Sequence, residues 1–206
     1  MAPRPMFPLG SVLLPSMVLP LHVFEDRYRA LVRDCLAGDR QFGVALIERG
    51  SEVGGGDIRA MAGTMAQIVQ AEELPDGRWA IIAVGSHRIQ VRGWLPDDPY
   101  PVAEVEDWPD EPSADPEAAV ASYEVRVAQL RRLLALAVEL GADADPTVEL
   151  ADDAELGSFQ IGVLSPIGAL DRQRLLTAPG VDARLALLAE FLGDQELMLR
   201  ARLEDL

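Results

Sequence analysis

Histidine, acid and thiol crowd one stretch, LPLHVFEDRYRALVRDCL at residues 19–36, where His22, Glu25 and Asp26 precede Tyr28 and the chain's one cysteine, Cys35. Imidazole, carboxylate and thiol are the groups that shuttle protons, attack carbonyls and bind zinc. A pocket near His22, Glu25 and Tyr28 would make the chain a small-molecule sensor or a minor hydrolase. The preferred reading is plainer: His22 caps or orients a turn into a helix. His22 and His87 are the two histidines, and neither has a companion at metal-ligand spacing. Cys35 falls on an apolar stripe, where a thiol is usually buried and inert. We therefore expect no catalytic residue, no metal and no cofactor.

Other candidate chemistry fails on spacing. Ser86 precedes His87, but adjacent residues on a strand point to opposite faces and cannot share a proton. No Gly-x-Ser-x-Gly elbow occurs, and Ser158 lies in a segment whose role is packing. Asp143-Ala-Asp145 could open a calcium loop, yet Val148 stands where glycine is needed and Ala154 where a bidentate acid is needed. The glycines at 54–56 lead into a strand pattern, not a helix, so they present no helix amides to a phosphate. All 18 basic residues are arginine. Without lysine there is no Walker loop, no Ser-Lys pair and no Schiff base.

Composition narrows the partners. The 34 acids against 18 bases give a net charge of −16, which argues against nucleic acid, since such proteins gain affinity by neutralising phosphates with a basic face. A single cysteine allows no internal disulfide and fits a reducing, cytoplasmic setting. Residues 6–24 carry no charge, but Pro8, Pro15 and Pro20 interrupt them, so extended strands and turns are expected and no membrane span.

The positioning elements follow from the periods. Phe24, Tyr28, Leu31, Val32, Cys35 and Leu36 recur at helical spacing, with Glu25 and Asp26 near the start and Gly38 as a stop. Glu25 and Arg29 are spaced as a helical ion pair. Strand patterns occupy 42–47, 61–69, 78–84, 87–92 and 102–105, with a turn at 74–77 and a glycine-rich loop at 50–57. So many short strands with one inserted helix favour an all-β unit curled into a small barrel. The proline- and acid-rich run 107–116 reads as a linker. Beyond it, apolar stripes predict a long helix from 120 to Gly141, short helices at 152–164 and 167–176, and a last one at 181–202. The organisation expected is α+β: a barrel over 1–110, a linker at 111–116 and a helical bundle over 117–206.

The stretch MFPLGSVLLPSMVLPLHVFEDRYRALVRDCLAGDRQFGVALI, residues 6–47, resembles the start of the Lon protease N-terminal, substrate-binding domain. The likeness continues through GTMAQI at 63–68, Asp76-Gly-Arg78, His87-Arg-Ile89 and DPYPVAEV at 98–105. The resemblance implies a PUA-like β-barrel followed by a helical bundle. The expected role is a non-catalytic module that binds other proteins or unfolded polypeptide segments and passes them to a protease or chaperone. It implies a stand-alone member without the ATPase and peptidase of a full Lon. Pro20, His22, Phe24, Glu25, Arg27 and Tyr28 match the family motif and are expected to be structural. Glu48, Arg49, Val53 and Ile58 form a candidate binding loop, and a homodimer through the two long C-terminal helices is a further expectation.

Overall fold

The computed structural model describes residues 2–50 and 56–204 and divides into two compact units, Met1–Pro109 and Asp110–Leu206. In the first, β1 (Ala2–Leu9), β2 (Val18–Val23), α1 (Asp26–Ala37), β3 (Gln41–Arg49), β4 (Ile58–Glu73), β5 (Trp79–Trp94) and β6 (Val102–Asp107) follow in order. The six strands join as β2-β5-β4-β3-β1-β6, and β6 also pairs with β5. Parallel neighbours need a crossover. β1 and β3 are the parallel pair, and β2 with α1 forms the connection between them.

α1 forms because its period works. Tyr28, Leu31, Val32 and Cys35 are buried against Phe7, Phe42, Ile68 and Ile81, while Asp26 and Arg33 face solvent. Phe24 does not join that stripe. The helix begins at Asp26 behind an extended Glu25, so Phe24 belongs to the entering turn and is 56% exposed. Arg29 bonds Asp26 at 2.9 Å, not Glu25 as its spacing suggested.

β5 is longer than expected. The sequence breaks the pattern at Gly85 and Ser86, but the strand runs through them with one extra residue: Ala66 faces Gly85 and Met65 faces His87, leaving Ser86 unpaired. Such a bulge bends and twists a strand. It lets the first half of β5 pair with β2 and the second half with β6, while β4 accompanies both. Glycine is needed at 85, where an added Cβ would lie 2.3 Å from the Leu14 carbonyl oxygen.

The second unit holds α2 (Pro116–Glu139), α3 (Ala154–Leu164), α4 (Ala169–Thr177) and α5 (Val181–Glu204). Asp115 and Asp153 cap α2 and α3, accepting from the Ala118 and Leu156 amides. Leu130, Leu133, Ile161, Leu175, Leu188 and Leu192 fill the core. The stretch at 111–116 is tied down: Glu111 bridges Gly180, the Ser113 hydroxyl donates to Asp182, and Pro116 is the first residue of α2. Among the core residues is Arg184, fully buried, forked onto Asp110 and donating to Ser158 Oγ at 2.8 Å. Its guanidinium lies 3.6 Å from the Phe159 ring centroid.

Candidate functional site

The motif at 20–28 splits into an exposed strand face and a buried corner. Pro20 sits on β2, opposite Ile82 of β5, and as a proline it is suited to a strand at the sheet edge. His22, two residues on, is exposed opposite Ala80, and its ring makes no hydrogen bond or ion pair among the described residues. It does not cap the helix: Glu25 is the N-cap, and no side chain makes a cap hydrogen bond there.

The corner is built from Glu25, Arg27 and Tyr28 together with Phe7 of β1. Glu25 accepts from Arg27 Nε at 3.1 Å. The Arg27 guanidinium lies 4.5 Å from the centroid of the Tyr28 ring, whose other neighbour is Phe7, stacked at 4.0 Å and 10°. Tyr28 is 4% exposed. Burial pushes its phenol up to about 12; Arg27 opposes the rise, while Glu25 and Asp57 add to it. A phenol held neutral in this way packs and does not titrate near neutral pH.

Asp57 and Arg59 connect this corner to the glycine-rich loop. Arg59 at the start of β4 donates to Asp57 at 2.6 Å and, through two nitrogens, to Asp97 at 3.0 and 2.8 Å. It also stacks over Trp94 at 4.8 Å. Burial disfavours the Asp57 carboxylate, but the Arg59 hydrogen bond and charge, with Arg27 beyond, hold its carboxyl below the ordinary range. The motif residues 25–28 and the loop base 57–59 are thus electrostatic neighbours, although some 30 residues separate them.

The described flanks of the candidate loop adjoin that base. Arg49 pairs with Ile58, closing the hairpin between β3 and β4. Glu48 and Arg49 are exposed, and Ile58 is 53% exposed. Val53 lies outside the described residues. The base residues Asp57, Arg59, Trp94 and Asp97 were missed by the sequence reading. The local signal was Asp57-Ile-Arg59 after the glycines, but nothing local could supply Asp97.

Apolar side chains also lie open on the sheet. Val18 and Val69 are each 56% exposed. Val18, Pro20, Ile82 and Val84 share one outward face, because Val18 opposes Val84 and Pro20 opposes Ile82.

Ser86 and His87 correct the sequence reading. The bulge breaks the alternation of faces, so Ser86 Oγ lies 3.0 Å from His87 Nδ1, and His87 Nε2 lies 3.1 Å from Asp107. The Ser86 hydroxyl also sits 2.9 Å from the Met65 carbonyl, a second acceptor for its single proton. This hydrogen-bonded chain fastens the bulge to β4 and β6. Cys35 donates to the Gln41 carbonyl, and burial pushes its thiol up to about 12, so it offers no thiolate. Among the described residues no cluster of three or more His, Cys, Asp or Glu could hold a metal, and no helix is long and apolar enough to cross a membrane.

Comparison with known proteins agrees with this architecture. A family profile described as the ATP-dependent protease La (LON) substrate-binding domain matches residues 3–194. Lon protease 2 of Herpetosiphon aurantiacus is 29% identical over 195 residues, 93% of this chain but 24% of its own length. The chain thus spans about a quarter of that relative. The crystal structure of a Lon N-terminal domain protein from Xanthomonas campestris superposes with a TM-score of 0.67 at 30% identity, covering 93% of this chain and 99% of the other. The N-terminal domain of Mycobacterium avium complex Lon protease gives 0.66 at 22% identity, covering 94% and 99%, a likeness of fold. With an α+β fold of six strands and five helices and a profile match over nearly its whole length, the chain belongs to the LON substrate-binding domain family.

Proposed function

We propose that this chain is a non-catalytic recognition module that binds exposed apolar segments of other polypeptides. The observation that carries this reading is the match of residues 3–194 to a domain described by its binding of substrate. The surface agrees. Val18, Val69, Ile58 and Phe24, each more than half exposed, offer apolar contact on the first unit.

In this reading 1–110 and 117–206 act as two subdomains. The ring of pairings in which β6 returns to β5 supports a small PUA-like barrel in the first, and the shared core of α2, α3, α4 and α5 supports a bundle in the second. Glu25, Arg27 and Tyr28 are scaffold, and with Arg59 they present the loop carrying Glu48, Arg49 and Ile58 to a client. The module works in the cytoplasm, handing clients to a protease or chaperone without turning anything over itself.

The test is a binding titration with a globular protein held unfolded by reduction and carbamidomethylation, with its native form as control. Saturable binding of the unfolded form alone is expected, and it should weaken when Val18 and Val69 are changed together to Ser. Equal binding of native and unfolded forms, or none of either, would refute the proposal.

A further inference from the structure

The second unit contains a preformed groove that none of the foregoing uses. It opens between α2 and the non-helical segment 150–152 and encloses about 320 Å³, at the lower end of the usual size for ligand sites. Val120, Val127 and Leu150 supply apolar wall. Val120 is 49% exposed, although Tyr123, Leu130 and Leu134 on the same helix are 5%, 0% and 7% exposed. The far wall is fixed in place. The Tyr123 hydroxyl donates to the Ala151 carbonyl at 2.6 Å, and the Ala151 amide donates to the Gln160 side chain at 2.8 Å. With both backbone groups of Ala151 tied, little ordering entropy remains for a ligand to overcome.

Charge selects the occupant. Glu124 and Asp152 line the groove, Arg131 is the one cation lining it, and Asp153 stands beside Asp152. Neither Glu124 nor Asp152 forms an ion pair among the described residues. The charges of Asp152 and Asp153 are felt at the Tyr123 hydroxyl in the groove, where they add to the effect of burial in raising its pKa. The excess of acid extends beyond the groove, since residues 110–206 hold nineteen acids against eight arginines.

We propose that this groove takes a polypeptide segment in which a branched apolar side chain is flanked by lysine or arginine. The apolar residue seats against Val120, Val127 and Leu150, and the flanking cations meet Glu124 and Asp152. The assignment rests on the polypeptide-binding reading above and gives that reading a preferred client: basic, apolar segments over acidic ones.

Two labelled peptides with the same Val-Leu core, one flanked by lysines and the other by glutamates, are titrated with the full chain and followed by fluorescence anisotropy. The lysine peptide should bind about tenfold more tightly at low salt, the order expected when a few exposed charge pairs change sign. The double variant Glu124→Gln, Asp152→Asn should erase most of that preference, weakening the lysine peptide and relieving the repulsion felt by the glutamate peptide. Val120→Ser should weaken both peptides. All these positions are partly or fully exposed, and unchanged circular dichroism and melting temperature confirm that each variant folds. Equal affinity for the two peptides, or a preference that survives the double variant, overturns the groove assignment. Continued binding of the unfolded protein in the same experiment leaves the broader reading standing, whereas loss of all binding defeats both.

Discussion

At the scale of single residues, Arg184 and Asp110 are the most consequential pair. The side chains of Arg184 and Asp110 are 0% and 5% exposed, and two of the arginine's other donors are met by Ser158 Oγ and the Glu155 carbonyl. Removing one partner of a buried pair leaves the other charge without compensation. Asp110→Ala should therefore lower the unfolding free energy by about 3–5 kcal/mol in urea titration, while replacing both residues by apolar ones of similar shape should cost less. A loss below about 1 kcal/mol would mean that water reaches the guanidinium. Cys35 offers a pH test. Burial raises its folded pKa to about 12 from an ordinary 9.0, with Asp39 and Asp34 adding to the rise. The folded state therefore favours the neutral thiol. That contribution is complete below the ordinary value and is lost as pH rises from about 9 to 12. A disulfide reagent at pH 8 should label Cys35 only as fast as the chain opens, and immediate labelling of the folded protein would contradict the burial.

At the scale of elements, Ser86 shows how much one residue sets. The bulge there keeps Ile89 and Val91 buried beyond it as well as Ile81 and Ala83 before it. Deleting Ser86 would make the Ala66–Gly85 and Met65–His87 pairs adjacent and remove the bulge, straightening β5 where it passes from β2 to β6. The deletion should abolish cooperative thermal unfolding, whereas Ser86→Ala, which loses the bond to the Met65 carbonyl, should cost about 1 kcal/mol. A cooperative, native-like deletion variant would show that β5 can serve both partners without this bulge. The same segment marks the limit of what was legible in the sequence. α1 could be read because Tyr28, Leu31, Val32 and Cys35 keep a 3.6-residue period against one core. β5 was cut in two because Gly85 and Ser86 look like a break; their role depends on the Leu14 carbonyl and on β4, both distant in sequence. The loop base was hidden for the same reason. Arg59 finds Asp97 38 residues away, a pairing with no local period. Val120 belonged to a legible stripe, yet only the packing reveals that it stays open at a groove.

At the scale of the whole molecule, a net charge of −16 over 206 residues sets the response to salt. Acids outnumber arginines nearly two to one, so many carboxylates have no arginine of their own and repel one another. Self-repulsion of this kind destabilises a compact state. Salt also screens ion pairs, but exposed ones such as Arg78 with Asp76 contribute little to begin with, and the buried Arg184 pair is screened little. Repulsion should dominate, so the melting temperature should rise between low ionic strength and about 0.2 M sodium chloride, where the screening length falls below about 8 Å. The lysine-flanked peptide should respond in the opposite direction, because the same ions screen its attraction to Glu124 and Asp152. Calorimetry and anisotropy on one salt series measure both. A melting temperature that falls with added salt would mean that local ion pairs outweigh the long-range repulsion. Peptide affinity that ignores salt would mean that the groove recognises apolar shape alone.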